Sequence, residues 1–156
     1  MLLSRTLTAA GLSGCAVLLF ASLAGQAFCW TNDSNPQEQE AETVKFVNQK
    51  LQTWQDRMNL RDWDIHVQLV RANDLEPKTL GNIHWDTDVK QATISVLSPM
   101  DYRLPHKAML QDMEFTIVHE LVHLELASLP RSDASRRVEE HAVNEIASAL
   151  LRLARH

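Results

Sequence analysis

Residues 115–126 read FTIVHELVHLEL, and whether they form a helix decides both the fold and the chemistry. Side chains four apart on a helix stand one turn apart on nearly the same face. A helix here therefore sets His119 beside His123, where both imidazoles can address one ion. Glu120 follows the first histidine and projects to one side of that point. The pattern suits hydrolytic zinc, which lowers the pKa of a bound water toward neutrality while a neighbouring carboxylate accepts the proton during attack on a carbonyl. The surroundings are apolar, with Ile117, Val118, Leu121, Val122 and Leu124 interleaved among the polar residues. Burying His and Glu in such a helix is costly unless a metal compensates them. The competing reading is two satisfied core histidines in a metal-free helical protein, so a third ligand carries weight. A hydrolytic zinc takes three protein ligands and keeps a fourth position open.

Working outward, WDIHVQLVR at 63–71 alternates Trp63, Ile65, Val67 and Leu69 with Asp64, His66 and Gln68, the period-two pattern of a half-buried strand. A second strand is expected over LGNIHW, 80–85. The turn-prone DTDVK then leads into QATISVLS, 91–98, where Ala92, Ile94 and Val96 share a face, so these two strands are expected to form a hairpin. Upstream, Val44, Val47, Leu51, Trp54 and Met58 recur at steps of three and four and predict a helix near 38–57, with Ser34 as its start. Pro99 and Pro105 bracket a loop; from about 106 to 129 the pattern is helical and stops before Pro130. Ser132 or Asp133 can cap a last helix with Val138, Ala142, Val143, Ile146, Leu150 and Leu153 on one face. The fold class is α+β: a sheet of about three short strands packed on an N-terminal helix, the HELVH helix and a C-terminal helix. Packed antiparallel through the short LPRSD connection, the last helix offers Glu139, Glu140 and His141 as third ligands.

HELVH followed by EEHAVNEIA resembles the zincin metallopeptidases of the gluzincin type, in which a later helix carries ExxAD, ExxSD or ExxAN and its Glu is the third ligand. The likeness covers roughly residues 44–153. It implies that His119, His123 and Glu140 hold one zinc ion, that Glu120 is the general base, and that Asn144 orients a ligand histidine. Glu139 remains the alternative ligand, because it lies on the more apolar stripe. The strand ATISVLS is similar to the edge strand that minimal zincins, the SprT-like and ImmA/IrrE-like proteins, place beside the substrate, so a peptide is expected to lie along 92–97. WDIHVQLV is similar to an early strand of small bacterial zincin-like proteins. The chain departs from the larger members: the interval from His123 to Glu140 leaves no room for a substrate-shaping subdomain. The metzincin pattern is excluded, since Leu126 and Leu129 stand where its later residues would fall.

With 156 residues, 45% hydrophobic and 22% charged, the chain has room for one compact domain. A net charge of −5 without a basic stripe gives no footprint for nucleic acid. Cys15 and Cys29 sit in no CxxC or Cys/His cluster, so a metal must be held by His and carboxylate. Residues 1–27 carry only Arg5 ahead of a small, apolar run and are expected to be a signal peptide, cleaved after Ala27, or an N-terminal membrane anchor through residues 6–30. Residues 28–41 are expected as a linker and 42–156 as the zincin-like metallopeptidase domain, exported to the periplasm or beyond. The expected function is zinc-dependent hydrolysis of peptide bonds in a peptide or protein substrate. The alternative is a catalytically silent, zinc-stabilised binding or adaptor module of the cell envelope. Tyr102, Arg103 and His106 precede the active helix, where a donor could steady an oxyanion, but surface-loop roles are favoured. His66, His84 and His141 are expected to be solvent-facing or satisfied, and Trp54, Trp63 and Trp85 to be core or rim aromatics.

Overall fold

The computed structural model describes residues 36–130 and 132–155. The expected leader, its cleavage point and Ser34 lie outside the described residues. Six main elements follow in order: α1 (Pro36–Arg57), β1 (Asp64–Val70), β2 (Gly81–Asp86), β3 (Gln91–Leu97), α2 (His106–Glu125) and α3 (Asp133–Ala154). Short 3-10 turns at Ala72–Asp74 and Pro99–Asp101 join them. Among the described residues this is an α+β arrangement of three helices and a three-stranded sheet. Among the described residues, no helix is long and apolar enough to cross a membrane.

Helix α1 takes in residues 36–41 from the stretch expected as linker. Proline suits a first turn, where its missing N–H would have no partner, and Glu38 in that turn complements the helix dipole. At the other end, α2 stops at Glu125, four residues short of the expected end at 129. Leu126 caps it at φ −87°, ψ 1°, and the chain descends to Pro130 through tight turns, Ala127 N bonding Leu124 O and Leu129 N bonding Leu126 O. A residue before proline is disfavoured in helical conformation, so the helix unwinds ahead of Pro130.

The expected β2–β3 hairpin is present, antiparallel, with Ile83 opposite Ile94. Its turn is fastened by Asp86, whose Oδ1 accepts from Asp88 N at 2.9 Å. Strand β1 pairs with β3 in parallel, Val67 opposite Ile94, which gives the order β1-β3-β2. The expectation that 92–97 is an edge strand is thereby corrected. β3 is the central strand because it pairs with β1 on one side and β2 on the other, and its inward residues Ala92, Ile94 and Val96 are all but fully buried.

Helix α1 packs on β1 and α2, α2 on β2 and β3, and α3 on α2. Val47, Leu51 and Trp54 of α1 meet Ile65, Ile94 and Val96 of the sheet and Met113, Ile117 and Leu121 of α2 in one core. Trp54 satisfies its indole N–H on Glu114 Oε1 at 3.1 Å, which Lys50 also reaches at 2.9 Å. The expected inward face of α3 is corrected by rotation. Val143, Ala147 and Leu151 are buried, while Val138, Ala142, Ile146 and Leu153 are exposed. Val143 and Leu150 of the expected stripe do turn inward, Leu150 in part, while Ala147 and Leu151, which it left out, are buried.

The segment between β1 and β2 is held from beyond the sheet. Asp101 accepts from Arg71 Nε and Nη2 and from Ala72 N, each at 2.8 Å. These bonds hold its carboxyl at about 2, below the ordinary 3.8, with the Arg71 side-chain bond the largest cause. A carboxyl whose pKa is lower folded than unfolded stabilises the fold above its unfolded value and loses that contribution as pH falls through the folded one. Asp101→Asn is therefore expected to lower the thermal midpoint at neutral pH, with the gap to wild type closing between about pH 4 and pH 2. Thermal unfolding across that range checks it; a gap independent of pH would contradict it.

Candidate metal centre

Helix α2 carries His119, Glu120 and His123 in its buried second half, and the rotation of α3 decides what meets them. Val143 points at α2, so Glu139 and Glu140, four and three residues earlier, point the same way one turn nearer the α3 N-terminus. The result is convergence. His119 Nε2 and His123 Nε2 lie 3.1 Å apart. Glu140 Oε1 is 3.3 Å from His123 Nε2, and its Oε2 is 3.5 Å from His119 Nε2. His119, His123 and Glu140 together form a cluster that could hold a metal ion, their ligand atoms all within 4.8 Å of one another. Donors about 2.0–2.2 Å from one tetrahedral ion stand roughly 3.3–3.6 Å apart; the contacts here are near that spacing, although Glu140 reaches the two histidines through different oxygens.

Electrostatics agree with that chemistry. Burial, and then the neighbouring His123, push the His119 pKa down, which favours the neutral imidazole that metal binding requires. Burial, and then the charge of Glu140, push Glu120 up to about 8. A cation in the cluster would offset both the desolvation and the repulsion.

The two glutamates of α3 have different surroundings. Glu139 Oε1 lies 3.1 Å from Nδ1 of His123, on the side of the ring away from His119 and Glu140, and both side chains are nearly buried. Glu139 is not in the cluster. Asn144 lies beside His119 and favours its protonated form. His119 Nδ1, though buried, has no hydrogen-bond partner among the described residues.

A cleft of about 660 Å³ opens over the cluster, walled on one side by Thr79–Trp85 and on the other by Asp112, Thr116, Glu120 and Arg136. Its wall includes the edge strand β2. Gly81 is where that strand crosses α2: a Cβ there would lie 2.7 Å from Ser95 O, closer still to Thr116 Cγ2, and 3.6 Å from Glu120 Oε1. Only a residue without a side chain lets the strand pass so close to Thr116 and the Ser95 carbonyl, beside the Glu120 carboxylate.

Of the loop residues singled out earlier, none lines this cleft. Tyr102 donates to Asp112 Oδ2 at 3.0 Å, His106 pairs with Gln39 at 3.3 Å, and Arg103 is exposed. His66 and His141 are exposed; His84 is exposed and Trp85 half-buried, and both line the cleft. Trp54 is a core residue. Sequence reasoning missed Gly81, Thr116 and Asp112. The last two were within reach of helical periodicity, being three and seven residues before His119 on the same face; Gly81 carried no local signal beyond opening a strand.

Comparison with protein-family models, curated proteins and solved structures finds no match for this chain. The functional reading therefore rests on the geometry and on the motif.

Gly81→Ala is expected to destabilise the fold by about 1–3 kcal/mol, the usual cost of forcing extra volume into a packed site. Urea unfolding measures it; an unchanged midpoint at unchanged slope would mean that β2 and α2 are not in close contact.

Proposed function

We propose that this domain is a zinc-dependent peptidase in which His119, His123 and Glu140 hold the metal and Glu120 is the general base. One observation carries the reading: three ligand groups converge on a point beside a buried carboxylate, within a cleft bordered by β2, the edge strand of the sheet among the described residues. Zinc, when bound there, would polarise a substrate carbonyl and lower the pKa of water toward neutrality.

The chain's own residues supply the rest. Glu120, buried beside the cluster, is placed to take a proton from the attacking water and return it to the leaving amine; a cation in the cluster would offset the burial and the Glu140 charge that raise its pKa, and so leave it ionised to act as base. An extended peptide can add main-chain hydrogen bonds to β2, which is an edge strand among the described residues and passes over Glu120, so its carbonyls would run past the base. This replaces the central strand at 92–97 as the docking edge. The apolar residues around α2 exclude water from the cluster's rear and strengthen each electrostatic interaction inside. A leader-like first thirty residues followed by a polar stretch support action outside the cytoplasm.

A zinc-stabilised binding module is the competing reading. Structural zinc sites are closed by four protein ligands. Here three groups converge among the described residues, and the fourth side faces a cleft with a carboxylate in its wall, which favours catalysis.

Glu120→Gln is expected to abolish cleavage of a peptide library, by at least about 100-fold, with zinc binding and thermal midpoint retained. Undiminished cleavage would remove Glu120 from the mechanism. Zinc binding without cleavage by the wild type would favour the binding module. Where the wild type cleaves, 1,10-phenanthroline is expected to stop the reaction and added zinc to restore it; chelator-resistant cleavage would contradict a metal mechanism.

A further inference from the structure

Two glutamates adjoin on α3, and the motif gives a role to only one of them. Glu139 approaches His123 from behind: its Oε1 lies 3.1 Å from Nδ1, while Nε2 of the same ring faces His119 and Glu140. The contact is sheltered, with the two side chains 10% and 16% exposed. An ionised carboxylate can only accept a hydrogen bond, so the proton between Nδ1 and Oε1 belongs to the imidazole. In a neutral ring that leaves Nε2 as a lone pair, aimed at the point on which Glu140 and His119 Nε2 also converge. The two histidines are unequal in this respect, because His119 Nδ1 has no hydrogen-bond partner among the described residues.

We infer that Glu139 is the positioning residue of the metal centre: it fixes His123 as the Nδ1-protonated tautomer and orients its Nε2 toward the ion. This rests on the metal-centre reading given above and adds a function for a residue otherwise assigned either to no role or to the ligand set. Asn144 stands beside the other ligand histidine, His119, so its expected orienting role is not displaced by Glu139. Carboxylates behind ligand histidines raise the basicity of the imidazole as well as aligning it, and their loss typically weakens metal binding about 10–100-fold. Glu139 is placed to do both, since its helix is packed rigidly on α2 through Val143 and Ala147.

The test is zinc affinity by competition with a chromophoric chelator, on the full folded domain, for wild type, Glu139→Ala, Glu139→Gln and Glu140→Ala. Glu139→Ala is expected to weaken zinc binding about 10–100-fold while still taking up one zinc at saturation. Glu139→Gln, which keeps an acceptor oxygen, is expected to recover much of the loss. Cobalt(II) replacing zinc gives a second readout. Its visible spectrum is expected to keep its form in both Glu139 variants and to change in Glu140→Ala, which removes a ligand. Long-range 1H–15N correlation of the zinc-loaded wild type is expected to find the His123 proton on Nδ1. Wild-type affinity in Glu139→Ala, or a His123 proton on Nε2, would overturn the inference and leave the metal centre standing. A cobalt spectrum changed in the Glu139 variants and unchanged in Glu140→Ala would make Glu139 the ligand and overturn it too. A wild type that binds neither ion would overturn the metal-centre reading, and this inference with it.

Discussion

The register in which α3 packs on α2 is the constraint on which the site depends. Val143, Ala147 and Leu151 turn toward α2, and helical geometry then leaves Glu139 and Glu140 no direction but the one that faces the two histidines. A rotation of α3 by one residue, or about 100°, would carry the glutamates away and expose the apolar stripe. Hydrophobic packing and site assembly are therefore one event. The polar residues occupy the end of a face whose remainder is driven inward by burial. The cost of desolvating His and carboxylate at that end is what a cation would offset.

The sheet contributes the other wall. Its centre is β3, flanked by β1 and β2, and α2 lies over the β2 side. Gly81 lets the first residue of β2 come against Thr116 and near the carboxylate of Glu120, so the edge strand and that carboxylate stand together. At the same end of the sheet, Asp101 ties the segment that leads into β2 through Arg71 and Ala72. The cleft thus has one wall made by helix packing and one made by strand pairing, and neither alone contains a site.

Much of this was legible in the sequence, because the signals were local. The period-two run of 63–69, the turn before 91, and the helical repeats of α1 and α2 each arise from burial within a few residues, and the elements fall where those patterns lie. HELVH placed His119 and His123 side by side for the same reason. What the pattern could not supply was long-range. The order β1-β3-β2 depends on a parallel pairing between strands separated by a third, so 92–97 read as an edge when it is the centre. The face of α3 was misread in part because apolar residues stand on more than one side of it: Val143 was placed inward correctly, but Ala142 and Ile146 were preferred to Ala147 and Leu151. The glutamates are also a matter of packing: adjacent on one helix, Glu139 and Glu140 are separated only by which side of His123 they reach.

The most direct test of the central claim is metal content by plasma mass spectrometry on the purified domain from Thr31 onward, with His123→Ala and Glu140→Ala beside it. The account predicts about one zinc per wild-type chain and loss of that zinc in both variants while they remain folded. A folded wild type that takes up no zinc when zinc is supplied, or variants that keep it, would contradict a centre built from His119, His123 and Glu140.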